Sequence, residues 1–282
     1  MRGSRTHKLL AALLSLIFIG SLSWLTDWLW DSRQSGRAHE QAVRIAMEEP
    51  ADEEPEAEVP ALPSPVVIEV PDDAAPLAGT PAPEPIPEEA AHLAELDLEG
   101  LRQVSEDVLG WIHIPGSDIS YPLMDSEDNR DYLELTWNGE KSRGGSIFLE
   151  CRSSEDLSDF HTLIYGHNMK DGTMFGQLSR YREQSHLEAY PHVYIATEQS
   201  VLRYEIFSAY IADVVSDTYR LYFEDEGRRQ SAIDFYLASS WLDSGLVPDT
   251  DSRLLTLSTC HGVGNADTRW VVQAALTGVF PR

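Results

Sequence analysis

Positive charge is scarce in this chain, and so is cysteine. Its 282 residues carry 21 Lys and Arg against 47 Asp and Glu, a formal net charge of -26. So acidic a chain has no footprint for a phosphate backbone, which argues against nucleic acid as a partner. Between residues 48 and 99 there is no Lys or Arg at all, while sixteen Asp and Glu fall there. The two cysteines, Cys151 and Cys260, are too few for a disulfide framework, so an isolated reactive thiol is the first thing to consider. Long apolar runs are equally rare: the one long uncharged run spans Leu9 to Leu25.

Arg2, Arg5 and Lys8 precede that run, and Trp24, Trp28 and Trp30 sit at its far end. A helix over it would reach about 26 Å. Extension toward Trp30 matches a hydrocarbon core of roughly 30 Å. The basic flank marks the cytoplasmic side and the tryptophans suit the outer interface. The expectation is a cytoplasmic tail over 1–8 and a transmembrane anchor over 9–30. The protein would then be single-pass in the cell membrane, with the remainder outside. A cleaved signal peptide ending at Ser21 to Ser23 is the competing reading, and both readings export the rest of the chain.

Residues 33–47 read as a polar juxtamembrane stretch with helical character. Residues 48–87 then hold eleven of the sixteen prolines among many acids. Such a composition cannot bury enough apolar surface to offset its ordering entropy, and proline biases it toward an extended form of about 3.1 Å per residue. Residues 31–87 are therefore expected to be an acidic, Pro-rich stalk, either a spacer or a tail with no length requirement.

A folded domain is expected over 88–282. Ala90, Leu93, Leu96, Leu98, Leu101 and Val104 form an imperfect helical stripe. After Gly110 come short β-type runs: 111–114, 119–123, 146–149, 162–165, 193–197, 201–215, 254–258 and 270–279. Eight strands at this spacing predict a mainly β fold, an all-β barrel or sandwich with helical insertions. One insertion, 231–242, places Ile233, Tyr236, Leu237, Ser240 and Trp241 on one helical face ahead of the cysteine strand.

Cys260 ends the apolar run Thr256-Leu257-Ser258-Thr259. A free thiol is only a few per cent thiolate at neutral pH and needs a base or a cation nearby. Arg269 is permanently charged and carries a rigid fork of donors. It reaches Cys260 if 261–268 is a loop between adjacent strands, which Gly262, Gly264 and Asn265 favour. Among nine histidines, His167 follows a strand and Gly166, where a turn can project its ring into a cleft. A structural histidine is the alternative there. His261 adjoins the cysteine but would point to the opposite face of a strand. No helix or turn unites His161, His167, His186 and His192, so no metal site is expected, and nothing implies a cofactor.

Tyr165-Gly166-His167-Asn168-Met169, Thr256–Cys260 and Arg269-Trp270-Val271-Val272 together resemble a sortase. Gly110–Ile114, Ile119–Pro122, Asn129–Leu133, Gly145–Leu149, Lys170–Phe175 and the long insertion before the cysteine strand resemble class B more narrowly. The resemblance covers about residues 88–282. It implies an eight-stranded sortase β-barrel with an N-terminal helix, and a thiol transpeptidase on the outer membrane face of a Gram-positive cell. It implies that Cys260 attacks the threonine carbonyl of a C-terminal sorting motif, that His167 moves protons and that Arg269 steadies the oxyanion. An amine of a peptidoglycan precursor or a pilin lysine would then resolve the thioester, the sorting-motif surface protein or pilin being the other partner. Asn129, Leu133, Ser258 and Tyr219 fall along the implied substrate groove. The alternatives are a catalytically idle, membrane-tethered binding or assembly module on the same barrel, and a peptidase in which water replaces the amine. Cys151 raises one further question, because a bond to Cys260 would block the chemistry.

Overall fold

Strands that are apolar on both faces need cover on both, and here a barrel is wrapped on two sides by helices. The computed structural model describes residues 33–47, 85–260 and 267–282, together with Phe18, Ser21, Leu22, Thr26 and Trp30. Its strands are β1 (Val108–His113), β2 (Ser120–Met124), β3 (Ile147–Leu149), β4 (His161–Tyr165), β5 (His192–Ala196), β6 (Ser200–Asp213), β7 (Leu254–Cys260) and β8 (Thr268–Pro281). All eight expected strands form, each end within three residues of its predicted place. They close in the order β1-β2-β3-β4-β7-β8-β6-β5, with β5 pairing back onto β1. The ladders are antiparallel except β2 with β3 and β4 with β7, which run parallel.

Inside the barrel, Ile112, Leu123, Ile164, Ile195, Ile206 and Leu257 belong to one buried cluster. Each such side chain contributes about 1.5–3 kcal/mol on full burial. Two further clusters cover the outside. Over β6, β7 and β8, helix α3 (Glu226–Ser239) buries Ala232, Ile233 and Tyr236 against Phe207, Tyr210 and Val271. This helix begins five residues before the predicted start, because Asp225 caps it by accepting a hydrogen bond from the Arg228 amide at 2.8 Å. It ends at Ser239 because Ser240 turns extended.

The second outer cluster lies over β1, β2 and β5. The expected N-terminal stripe divides into a 3-10 helix (Glu88–Glu95) and helix α2 (Leu98–Arg102), the latter capped by Asp97. Joining them is helix α1, over residues 33–47. Its sequence reads as polar, yet Ala38, Ala42 and Ala46 are buried at four-residue spacing, and these small side chains admit a close approach. The Trp137 indole donates to the Ala38 carbonyl at 2.7 Å, the Asn138 amide to Gln41 at 3.0 Å, and the Asp97 backbone N–H to the Ala46 carbonyl at 2.9 Å.

The expected cell-membrane placement is corrected here. Among the described residues no helix is long and apolar enough to cross a membrane. The described part of helix α1 carries Arg33, Arg37, Glu40 and Arg44 within residues 33–47, too charged for that role. Most of the anchor proposed over 9–30 lies outside the described residues, as do the tail over 1–8 and residues 48–84 of the stalk.

Candidate active site

The two parallel ladders decide where the chemistry gathers. Because β4 and β7 run in the same direction, both end at the same rim of the barrel. Tyr165 and Ser258 are register partners, so the turn that carries His167, two residues past Tyr165, leaves the barrel beside the end of β7, where Cys260 lies two residues past Ser258. The Gly166 amide continues the ladder to the Ser258 carbonyl at 3.3 Å. On the other side β8 returns antiparallel, and Cys260 faces Arg269 in the register. With strands about 4.8 Å apart, the three residues stand side by side across roughly 10 Å of rim.

The turn after β4 is built to hold His167. Gly166 packs so closely on Phe175 that an added Cβ would lie 2.8 Å from the ring. The Phe175 amide donates to the His167 carbonyl at 2.9 Å, and Asn168 bridges Met174. The partly exposed imidazole sets its Nε2 2.8 Å from the Leu133 carbonyl oxygen, which can only accept, so Nε2 carries the proton. Arg269 is partly buried and donates through Nη1 to the Thr268 carbonyl at 3.0 Å.

Around this row lies a cleft of about 210 Å³ lined by Asn129, Leu133, Phe148, Tyr165, Gly166, His167, Ser258, Thr259 and Arg269. The structure thus brings five of the residues singled out in the sequence to one cavity. Tyr219, on the 3-10 turn after β6, reaches it from the side: its hydroxyl and Ser258 Oγ are 3.0 Å apart. Asn129 holds a left-handed backbone, φ 60°, that asparagine tolerates better than most residues. Its side-chain oxygen accepts from the Cys151 amide at 2.8 Å.

Two supports escaped the sequence reading. Glu150 is almost wholly buried beneath the cleft. It accepts from Arg152 Nε at 2.7 Å and the Tyr165 hydroxyl at 3.0 Å. Burial pushes its carboxyl up, but hydrogen bonds from Arg152, Asn129 and Tyr165 outweigh that and leave it below the ordinary glutamate value. The available signal was a single acid directly after the apolar Ile147-Phe148-Leu149. His161, which has no special local setting in the sequence, is buried between the Arg220 carbonyl, 2.8 Å from Nδ1, and Thr256 Oγ1, 2.7 Å from Nε2. Burial pulls its pKa down to about 4, so the ring is neutral.

Cys151 is a free thiol, which removes the inhibitory bridge to Cys260. Burial and the adjacent Glu150 carboxylate push its pKa up, so it remains a thiol and a poor nucleophile. Among the described residues no group of three or more His, Cys, Asp or Glu is arranged to hold a metal ion.

The Sortase domain family matches residues 112–277. The chain belongs to the sortase family. It is similar to Sortase B of Listeria monocytogenes, 35% identical over 185 residues that cover 64% of this chain and 74% of that protein. Sortase B of Staphylococcus aureus is 30% identical over 178 residues, 63% of this chain and 73% of that protein. Among solved structures, a Staphylococcus aureus sortase B–substrate complex superposes with a TM-score of 0.61 at 30% identity, over 64% of this chain and 84% of the other. This sortase is a cysteine transpeptidase of class B, and its closed barrel with added helices is the architecture expected from the sequence.

Proposed function

We propose that this sortase cleaves a C-terminal sorting motif after threonine and transfers the acyl group to an amine. The amine belongs to a cell-wall cross-bridge precursor or a pilin lysine. Cys260 attacks the threonine carbonyl, His167 gives a proton to the departing amine, and Arg269 stabilises the oxyanion. Removing one such donor costs about 3 kcal/mol of transition-state stabilisation. The reading is supported above all by the shared rim: the parallel β4/β7 register and the Cys260–Arg269 pairing set three complementary residues in a row. Cys151, with its raised pKa, is the less suited thiol.

Asn129, Leu133, Ser258 and Tyr219 form the acyl side of the substrate groove, a reading supported by their places around one cleft. One similar protein has been solved as a sortase B–substrate complex, which favours a substrate-binding role for this chain as well. The catalytic unit is 88–282, with 31–87 as an acidic linker whose first helix docks back on the barrel.

The test is a panel of peptides carrying Pro-x-Thr motifs, followed by chromatography and intact-protein mass. Wild type should cleave after threonine and accumulate a thioacyl adduct, and Cys260→Ala should do neither. Full cleavage by Cys260→Ala, or binding without turnover by wild type, overturns the proposal.

A further inference from the structure

His167 stands between two clefts. Beyond it and Leu133, away from Ser258 and Arg269, a second groove of about 520 Å³ is lined by Leu133, Glu134, Lys141, Ser142, Arg143 and His167. His167 and Leu133 line both cavities, and the hydrogen bond between them forms the partition. The far groove is walled by a rigid hairpin. Leu135 bridges Lys141, and the Ser142 amide donates to the Glu134 carbonyl at 2.8 Å. Helix α1 braces that hairpin from behind through Ser35 on Ser142, Gln41 on Asn138 and Ala38 on Trp137.

We propose that this second groove receives the acceptor substrate, and that the acceptor is an amine carrying an anionic group on the same molecule. This rests on the reading of Cys260 and His167 as the acyl-forming pair. The amine expelled in acylation and the amine that resolves the thioester occupy the same position, by microscopic reversibility, and both exchange a proton with the same base. In the second step the amine nitrogen attacks the thioester carbon. The C–N bond forms, the C–S bond breaks with its electron pair returning to sulfur, and the proton shed by nitrogen passes to His167. The amine therefore arrives on the side of His167 that the acyl groove leaves open.

Charge then describes the rest of the acceptor. Lys141 and Arg143 are exposed along the groove, two cations in a chain of net charge -26. They attract a carboxylate or phosphate. Glu134, on the same groove, favours the ammonium form of the incoming amine and draws it toward the His167 end. An exposed ion pair shifts binding by a factor of about two to five, and it weakens as salt rises.

The experiment uses the full chain, acylated by the peptide it cleaves best, and compares ε-aminocaproate with ε-aminocaproamide, whose amines are of matching basicity. An excess of ε-aminocaproate over the amide in aminolysis rate, about fivefold at low salt, is expected for wild type. Lys141→Ala/Arg143→Ala should bring that ratio to about one, and Lys141→Glu/Arg143→Glu should reverse it. Phosphoethanolamine against ethanolamine separates phosphate from carboxylate as the preferred anion. Equal rates for both members of each pair in wild type, or a ratio unmoved in both variants, overturn the acceptor assignment alone. Failure of wild type to form any thioester overturns the catalytic reading beneath it as well.

Discussion

The Tyr219 hydroxyl and Ser258 Oγ, 3.0 Å apart, tie the segment after β6 to the strand that ends in Cys260. One wall of the cleft is thereby fixed to the strand carrying the proposed nucleophile. Tyr219→Phe keeps the ring and removes the bond, worth about 1 kcal/mol. We expect KM for a cleaved peptide to rise about fivefold with kcat within about twofold, measured by steady-state kinetics. A collapse of kcat with unchanged KM would contradict this role.

Arg269→Lys keeps the charge but loses the planar fork. If Arg269 meets the oxyanion, kcat/KM should drop by about 100-fold or more. The Thr268 carbonyl contact is one a lysine can also make, so folding should be retained. Thermal melting beside the kinetics separates the two effects.

His161 predicts a pH dependence of stability. The Arg220 carbonyl can only accept, so Nδ1 carries the proton and Nε2 accepts from the Thr256 hydroxyl. Its folded pKa of about 4 lies below the ordinary histidine value of about 6.5. Between those values the unfolded chain holds more protons than the folded one. Stability is therefore full above about pH 6.5 and is lost as pH falls toward 4, by on the order of 3 kcal/mol. His113, also lowered to about 4, chiefly by burial, adds in the same direction. Urea unfolding from pH 7 to pH 4 should show a smaller loss in His161→Gln than in wild type.

Glu150→Ala would leave the Tyr165 hydroxyl and the Asn129 amide without their carboxylate. A cost of about 2 kcal/mol is expected, read as a lowered Tm. Arg152 is largely exposed and relaxes into water, so its lost pairing adds little. Glu150→Gln should cost less, because the amide oxygen still accepts.

The fold was legible because its strands are long in Val, Ile, Leu and Tyr and short between turns; all eight could be placed. Cys260, Arg269 and His167 were legible as candidates from the residues themselves, but their meeting at one rim was not, since no local pattern says that β4 and β7 run parallel. Helix α1 was not legible as part of the body, because its buried face consists of Ala38, Ala42 and Ala46. Alanine carries little hydrophobic signal, and the partners Trp137 and Asn138 lie about a hundred residues away. Glu150 and His161 were missed for a similar reason: both are polar residues whose burial depends on partners from other strands.

Closure of the barrel has a consequence for recognition. With β5 paired onto β1, the barrel formed by the described residues presents no unpaired strand along which a peptide could add itself as a further strand. A polypeptide bound at this rim must be read through pockets and side chains, one residue at a time. Altering which motif is accepted should then require changes at a few lining positions and leave the barrel ladders untouched.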